Sequence, residues 1–116
     1  MNFSKELMKG TSEIIVLKAL YEEGEAYGYQ LITTIQHSSD NIFQFKEGTL
    51  YPLLYRLEDK NYITSKEKTG PNGKKRRYYS ITQKGIRILR EKITETKSFI
   101  DALNQVLIPA KKKSSA

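Results

Sequence analysis

The residues best suited to chemistry are a run of cations beside a turn. Pro71-Asn72-Gly73 is followed by Lys74, Lys75, Arg76 and Arg77, four positive side chains in a row. Such a run repels itself; a polyanion relieves the repulsion and sheds its condensed counterions on binding. The surplus is local. From Lys60 to Lys97 there are 12 Lys or Arg against 3 acids, whereas the whole chain of 116 residues carries +7. A second set lies upstream: Thr49, Tyr51, Pro52, Tyr55 and Arg56. Thr and Tyr hydroxyls donate to phosphates, and an Arg pairs with a phosphate or with a guanine edge. Both sets point to noncovalent recognition of a nucleic acid.

Covalent and metal chemistry find little to work with. There is no cysteine, and His37 is the single histidine, which excludes thiolate sites and His-pair metal sites. No nucleophile, base or phosphate-loop spacing occurs, and Gly70-Pro71-Asn72-Gly73 is too short to cradle a phosphate. His37 reads as a surface or capping residue near a helix end. Neither an enzyme nor a cofactor is expected. No run of 18 apolar residues exists, and Met1–Gly10 holds no apolar signal core, so a membrane span is not expected and the cytoplasm is the default location.

The elements that position these residues follow from hydrophobic periodicity. At this length one core is expected, burying roughly 65% of the unfolded surface. Ile14, Leu17 and Leu20 fall at helical spacing after Thr11 or Ser12 as N-cap, and Gly24 stops that helix. Glu25-Ala26 reads as a link. A second helix begins around Tyr27–Tyr29 and runs to His37, burying Leu31, Ile32 and Ile35. Ser38–Asn41 forms a loop, and Ile42–Phe45 is at most a short extended piece.

The third helix, Glu47 to about Lys60, places Leu50, Leu53, Leu54 and Leu57 at i, i+3, i+4 and i+7, a single apolar face. Thr49, Pro52, Tyr55, Arg56 and Asp59 are then left on the outside, with Gly48 near the start. Tyr62–Thr69 and Arg76–Ile81 read as two strands around the turn. Tyr79 and Ile81 are expected to face the core, Arg76 and Tyr78 to face out.

The last helix runs from Thr82 to about Leu107. Ile86, Leu89, Ile93, Thr96, Ile100, Leu103 and Leu107 follow a heptad with one polar break at Thr96. Some 26 residues span about 39 Å, more than this chain can cover from Thr96 onward, so a second copy is expected there. The sequence thus predicts a mostly α fold with a small β-hairpin: a winged helix-turn-helix with a long C-terminal dimerisation helix. Its parts are a DNA-binding domain over 1–81 (wing 62–81), the dimerisation helix over 82–108, and a disordered basic tail over 109–116. Leu89, Ile93, Thr96, Ile100, Leu103 and Leu107 form the dimerisation seam.

Specific motifs add to this. Tyr27-Gly28-Tyr29-Gln30-Leu31, the run from Glu47 to Glu58, the wing, and Tyr78-Tyr79-Ser80-Ile81-Thr82-Gln83-Lys84-Gly85 resemble the PadR family of bacterial transcriptional regulators over about Leu7 to Leu107. The length and single C-terminal helix are similar to its short-form subfamily. The resemblance implies a homodimeric repressor of double-stranded operator DNA, silencing its own operon and a transporter, detoxification or envelope-stress gene until a small-molecule inducer releases it. By position, it assigns DNA contacts to Thr49, Tyr51, Pro52, Tyr55 and Arg56, with Lys74 to Arg77 from the wing. Multidrug-sensing members stack flat drugs between tryptophans on the last helix. This chain has no tryptophan; that position falls near Lys97, and Phe99 is the nearest aromatic for a ligand.

A basic wing serves an RNA-binding or non-specific architectural protein equally well, and composition alone leaves that alternative open. A membrane-binding amphipathic helix fits less well, since the cations gather at the wing rather than along one helical face.

Overall fold

In the computed structural model, which describes residues 3–109, the leucine-rich stretches become helices around one core. The order is α1 (Lys5–Met8), α2 (Ser12–Glu23), β1 (Ala26–Tyr27), α3 (Gly28–Ser38), α4 (Glu47–Asp59), β2 (Ile63–Thr69), β3 (Lys75–Ile81) and α5 (Gln83–Leu107). The strands form one antiparallel three-stranded sheet in the order β1-β3-β2. Among the described residues, no helix is long and apolar enough to cross a membrane.

The core gathers Val16, Leu17 and Leu20 of α2, Leu31 and Ile35 of α3, the four leucines of α4, Ile63 and Tyr79 of the sheet, and Leu89 of α5. Leu50, Leu53, Leu54 and Leu57 are all sealed, as their spacing predicts. Gly24 ends α2 with φ +80°, a left-handed stop that only glycine adopts without strain. Thr11 occupies the N-cap position of α2, but its hydroxyl donates to the Met8 carbonyl instead of capping. Asp40 and Asn41, both with positive φ, turn the chain between α3 and α4. Ile42–Phe45 joins no strand, although Phe45 is buried and the Phe43 ring meets that of Phe3 at a tilt of 52°, with centroids 5.7 Å apart.

Two expectations are corrected. Glu25-Ala26 is not a plain link: Ala26 and Tyr27 form a third strand opposite Tyr79 and Tyr78 of β3. Two residues carry no alternation that a sequence could show, and the strand exists through its partner alone. Tyr78 lies on the sheet face opposite Tyr79, yet it is also buried. The Tyr27 ring meets it edge-on at 5.5 Å, and the Lys68 ammonium covers it at 4.8 Å. The tail from residue 110 lies outside the described residues.

Burial pushes the Tyr79 hydroxyl up to about 12 from 10.0. The folded state therefore holds this proton more tightly than the unfolded chain does. Its stabilising contribution is full below pH 10.0 and is lost as pH rises toward 12. Tyr79→Phe is expected to flatten the loss of stability in that window, measured by denaturant titration at stepped alkaline pH. An alkaline profile identical to the parent's would show that other groups control it.

Candidate nucleic-acid interface

The four leucines bury one side of α4 and so fix what its other side presents. Thr49, Pro52, Tyr55 and Arg56 are exposed, as are Glu47, Gly48 and Asp59. Pro52 sits within the helix on this face. Tyr51 behaves differently. It is half-buried, and its ring lies against the first residue of α3, where a Cβ on Gly28 would stand 2.3 Å from the Tyr51 hydroxyl. Gly28 is therefore what lets α4 approach the start of α3 so closely. Burial, followed by the Glu47 carboxylate and Tyr55, raises the Tyr51 hydroxyl above its ordinary value.

The wing turn is closed by Gly70 N–H donating to the Lys74 carbonyl (2.8 Å) and Gly73 N–H donating to the Gly70 carbonyl (3.0 Å). Gly73, at φ +76°, supplies the left-handed step. Lys74, Lys75 and Arg77 project into solvent. Arg76 is half-buried, its guanidinium 4.2 Å from the centroid of the Tyr27 ring, a contact that holds the charge in place while leaving its edges free to donate.

Part of the local cation surplus is paired. Lys60 pairs with Glu13 at 3.2 Å, Lys68 with Glu25, and Lys92 with Glu95 at 3.4 Å. The Lys68 ammonium donates to the Glu25 carboxylate and holds it below the usual carboxylate range. Among the described residues no carboxylate lies within 4.0 Å of Lys74, Lys75, Arg76 or Arg77. These four consecutive cations are thus the densest run of charge without a carboxylate partner; among the described residues Lys66, Lys84, Arg87, Arg90 and Lys97 also form no salt bridge.

Where the wing meets the N-terminal half of α4, Tyr51, Lys75, Arg76 and Arg77 line a single hollow of ≈ 410 Å³ with Tyr27, Tyr29 and Glu47. Thr49, Pro52, Tyr55, Arg56 and Lys74 stand outside it; Thr49 borders a separate hollow with Lys46 and Phe3. Tyr27 and Tyr29 escaped the sequence reading as interface residues. Their signal was present, two tyrosines flanking the glycine that opens α3, but only the β1–β3 pairing brings them to the wing root.

The predicted seam on α5 splits in the same way. Leu89 is buried in the domain's own core and Ile93 packs partly against it. Thr96 is half-buried, and Phe99 shares a shallow hollow with it, Ile14 and Glu95. Beyond that point the apolar residues are bare: Ile100 is 48%, Leu103 39%, Leu107 67% and Val106 80% exposed. His37 is exposed in the last turn of α3.

Comparison with known proteins follows this geometry. The model of the PadR-like transcriptional regulator family matches residues 16–91, from α2 into α5. A transcriptional regulator from Clostridium thermocellum superposes with TM-score 0.79 at 33% identity, covering 89% of this chain and 99% of that one. A PadR family transcriptional regulator from Eggerthella lenta gives 0.74 at 35% identity, over 89% of this chain and 87% of its own. Bacillus subtilis PadR, whose structure is a complex with operator DNA, shares the fold at TM-score 0.63 and 22% identity, over 72% of this chain and 46% of that one.

Proposed function

Since this chain belongs to the PadR-like family of transcriptional regulators, we propose that it works in the cytoplasm as a homodimeric repressor of a pseudo-palindromic double-stranded operator. The N-terminal half of α4 enters the major groove with Thr49, Pro52, Tyr55 and Arg56 toward base edges. Lys74 to Arg77 follow the phosphate backbone. The observation that carries this reading is the hollow at the wing root, where unpaired cations and tyrosine hydroxyls converge beside the exposed face of α4. Its three cations outnumber the one carboxylate, Glu47, and so favour a backbone phosphate there. The B. subtilis neighbour's complex with operator DNA supports the same orientation of function.

Pairing through the bare part of α5 sets two reading helices a fixed distance apart, which a two-fold site requires. A small-molecule inducer, bound near Phe99, would release DNA by favouring a different angle between the two units, and must bind that released state more tightly to do so. The chain's own gene and an adjoining transporter, detoxification or stress operon are the targets this reading assigns.

Competitive gel shifts test it. A duplex from the chain's own upstream region is expected to outcompete both a scrambled duplex and an RNA of the same length. Equal affinities would instead favour an architectural or RNA-binding protein. Lys74→Gln with Lys75→Gln should weaken every duplex by a similar factor and lower the salt slope by about 0.9 per lost phosphate contact. Thr49→Val should change the order of preference among sequences, by about tenfold at the affected base pair. A uniform loss would confine Thr49 to the backbone.

A further inference from the structure

Arg77, like Arg76, is held in place, but by a hydrogen bond and on the other face of the sheet. Its Nη1 donates to the Ser65 hydroxyl oxygen at 3.1 Å, and that hydroxyl donates its own proton to Glu58 Oε2 at 2.6 Å. The three residues come from three elements: Glu58 from the last turns of α4, Ser65 from β2 and Arg77 from β3. The polarity admits one direction only, because the carboxylate accepts, the guanidinium donates, and a hydroxyl with a single proton must do both. Chains of this kind polarise one another and hold geometry better than isolated bonds.

The place of the relay gives it a task. Along β2, Ile63 is buried and Ser65 half-buried, and every residue from Lys66 to Thr69 is exposed. Ser65 is the one half-buried residue on β2, and it lies on the sheet face that looks toward α4. On the opposite face of the sheet the wing is tied to α3 and β1 by Arg76 on Tyr27 and to Glu25 by Lys68. On the α4 side, among the described residues, no salt bridge ties it, and the relay supplies a side-chain link between wing and reading helix. We infer that Glu58 and Ser65 are positioning residues: through Arg77 they fix the angle of the wing against α4, and so the register in which phosphates and base edges are met together. This rests on the DNA-binding reading above for its consequence, although the tether itself does not.

The experiment uses the full chain with Ser65→Ala and the rescue variant Ser65→Thr, which keeps a hydroxyl and suits a strand. In the free protein, amide hydrogen exchange of Lys66–Lys68 and Lys75–Arg77 should quicken about five- to tenfold in Ser65→Ala and return to the parent rate in Ser65→Thr, as expected for a lost charge-assisted bond. Affinity for the chain's own upstream duplex should fall by about the same factor. Affinity for a scrambled duplex and the salt slope should hold, because no phosphate contact is removed. Unchanged wing exchange in Ser65→Ala overturns the inference. So does acceleration spread through α2 and α4 without rescue by Thr, which would make Ser65 a residue of the fold alone. A loosened wing with intact discrimination between duplexes overturns the positioning role. If the parent itself fails to separate the two duplexes while Ser65→Ala still loosens the wing, the tether stands and the operator-binding reading falls.

Discussion

Gly85→Ala is expected to destabilise this protein by about 2 kcal/mol, where the same change inside an exposed helix stabilises by about 1 kcal/mol. A Cβ at this position would stand 2.1 Å from the Tyr62 carbonyl oxygen and 2.7 Å from Ile81 Cγ1. Neither neighbour can retreat cheaply. The Tyr62 carbonyl accepts the Thr82 backbone N–H at 3.0 Å, and the Thr82 hydroxyl in turn accepts the Gly85 N–H at 3.0 Å to cap α5. This corner joins the end of the wing to the start of the long helix, so crowding it opens the cap or swings α5. Denaturant midpoints of parent and variant decide the matter. A stability equal to or above the parent's would mean that the corner relaxes freely.

The second large effect concerns assembly. Ile100→Glu with Leu103→Glu is expected to convert a dimer into a monomer by light scattering and to reduce affinity for a two-fold duplex by about 10²–10⁴, the gain that linking two binding units confers. Phe99, Ile100, Leu103, Val106 and Leu107 are all exposed over the last turns of α5. The described residues extend over 66 Å along one axis against 30 and 22 Å across the others. From Ile100 onward the helix adds no residue to the core of the described chain, so two buried carboxylates at a seam would be costly while the DNA-binding part keeps its thermal transition. An unchanged mass would remove the seam from the account of function.

Much of this was legible because it is local. The leucines at 50, 53, 54 and 57 state a helix and its inward face in eight residues, and therefore also the outward set of Thr49, Pro52, Tyr55 and Arg56. Gly24 and the Gly70–Gly73 turn mark their own breaks. The heptad of α5 was legible too, but its first residues misled: Leu89 carries the same spacing as Leu103 and is sealed inside the domain. Period tells which face is apolar and is silent about which neighbour covers it.

From the order of its residues alone, this chain specified its helices, its hairpin, the uncompensated charge of the wing and the overlong last helix, since each depends on neighbours within one or two turns or on composition. Only tertiary structure decided that Ala26-Tyr27 would add a strand, that Tyr78 would be covered, that Tyr27 and Tyr29 would join Tyr51 at the wing root, and that Glu58 would reach Arg77 through Ser65. Those contacts join residues far apart along the chain. Their free energy comes from pairing and desolvation that exist once α3, α4 and the sheet have met, and no periodicity within any one segment records them.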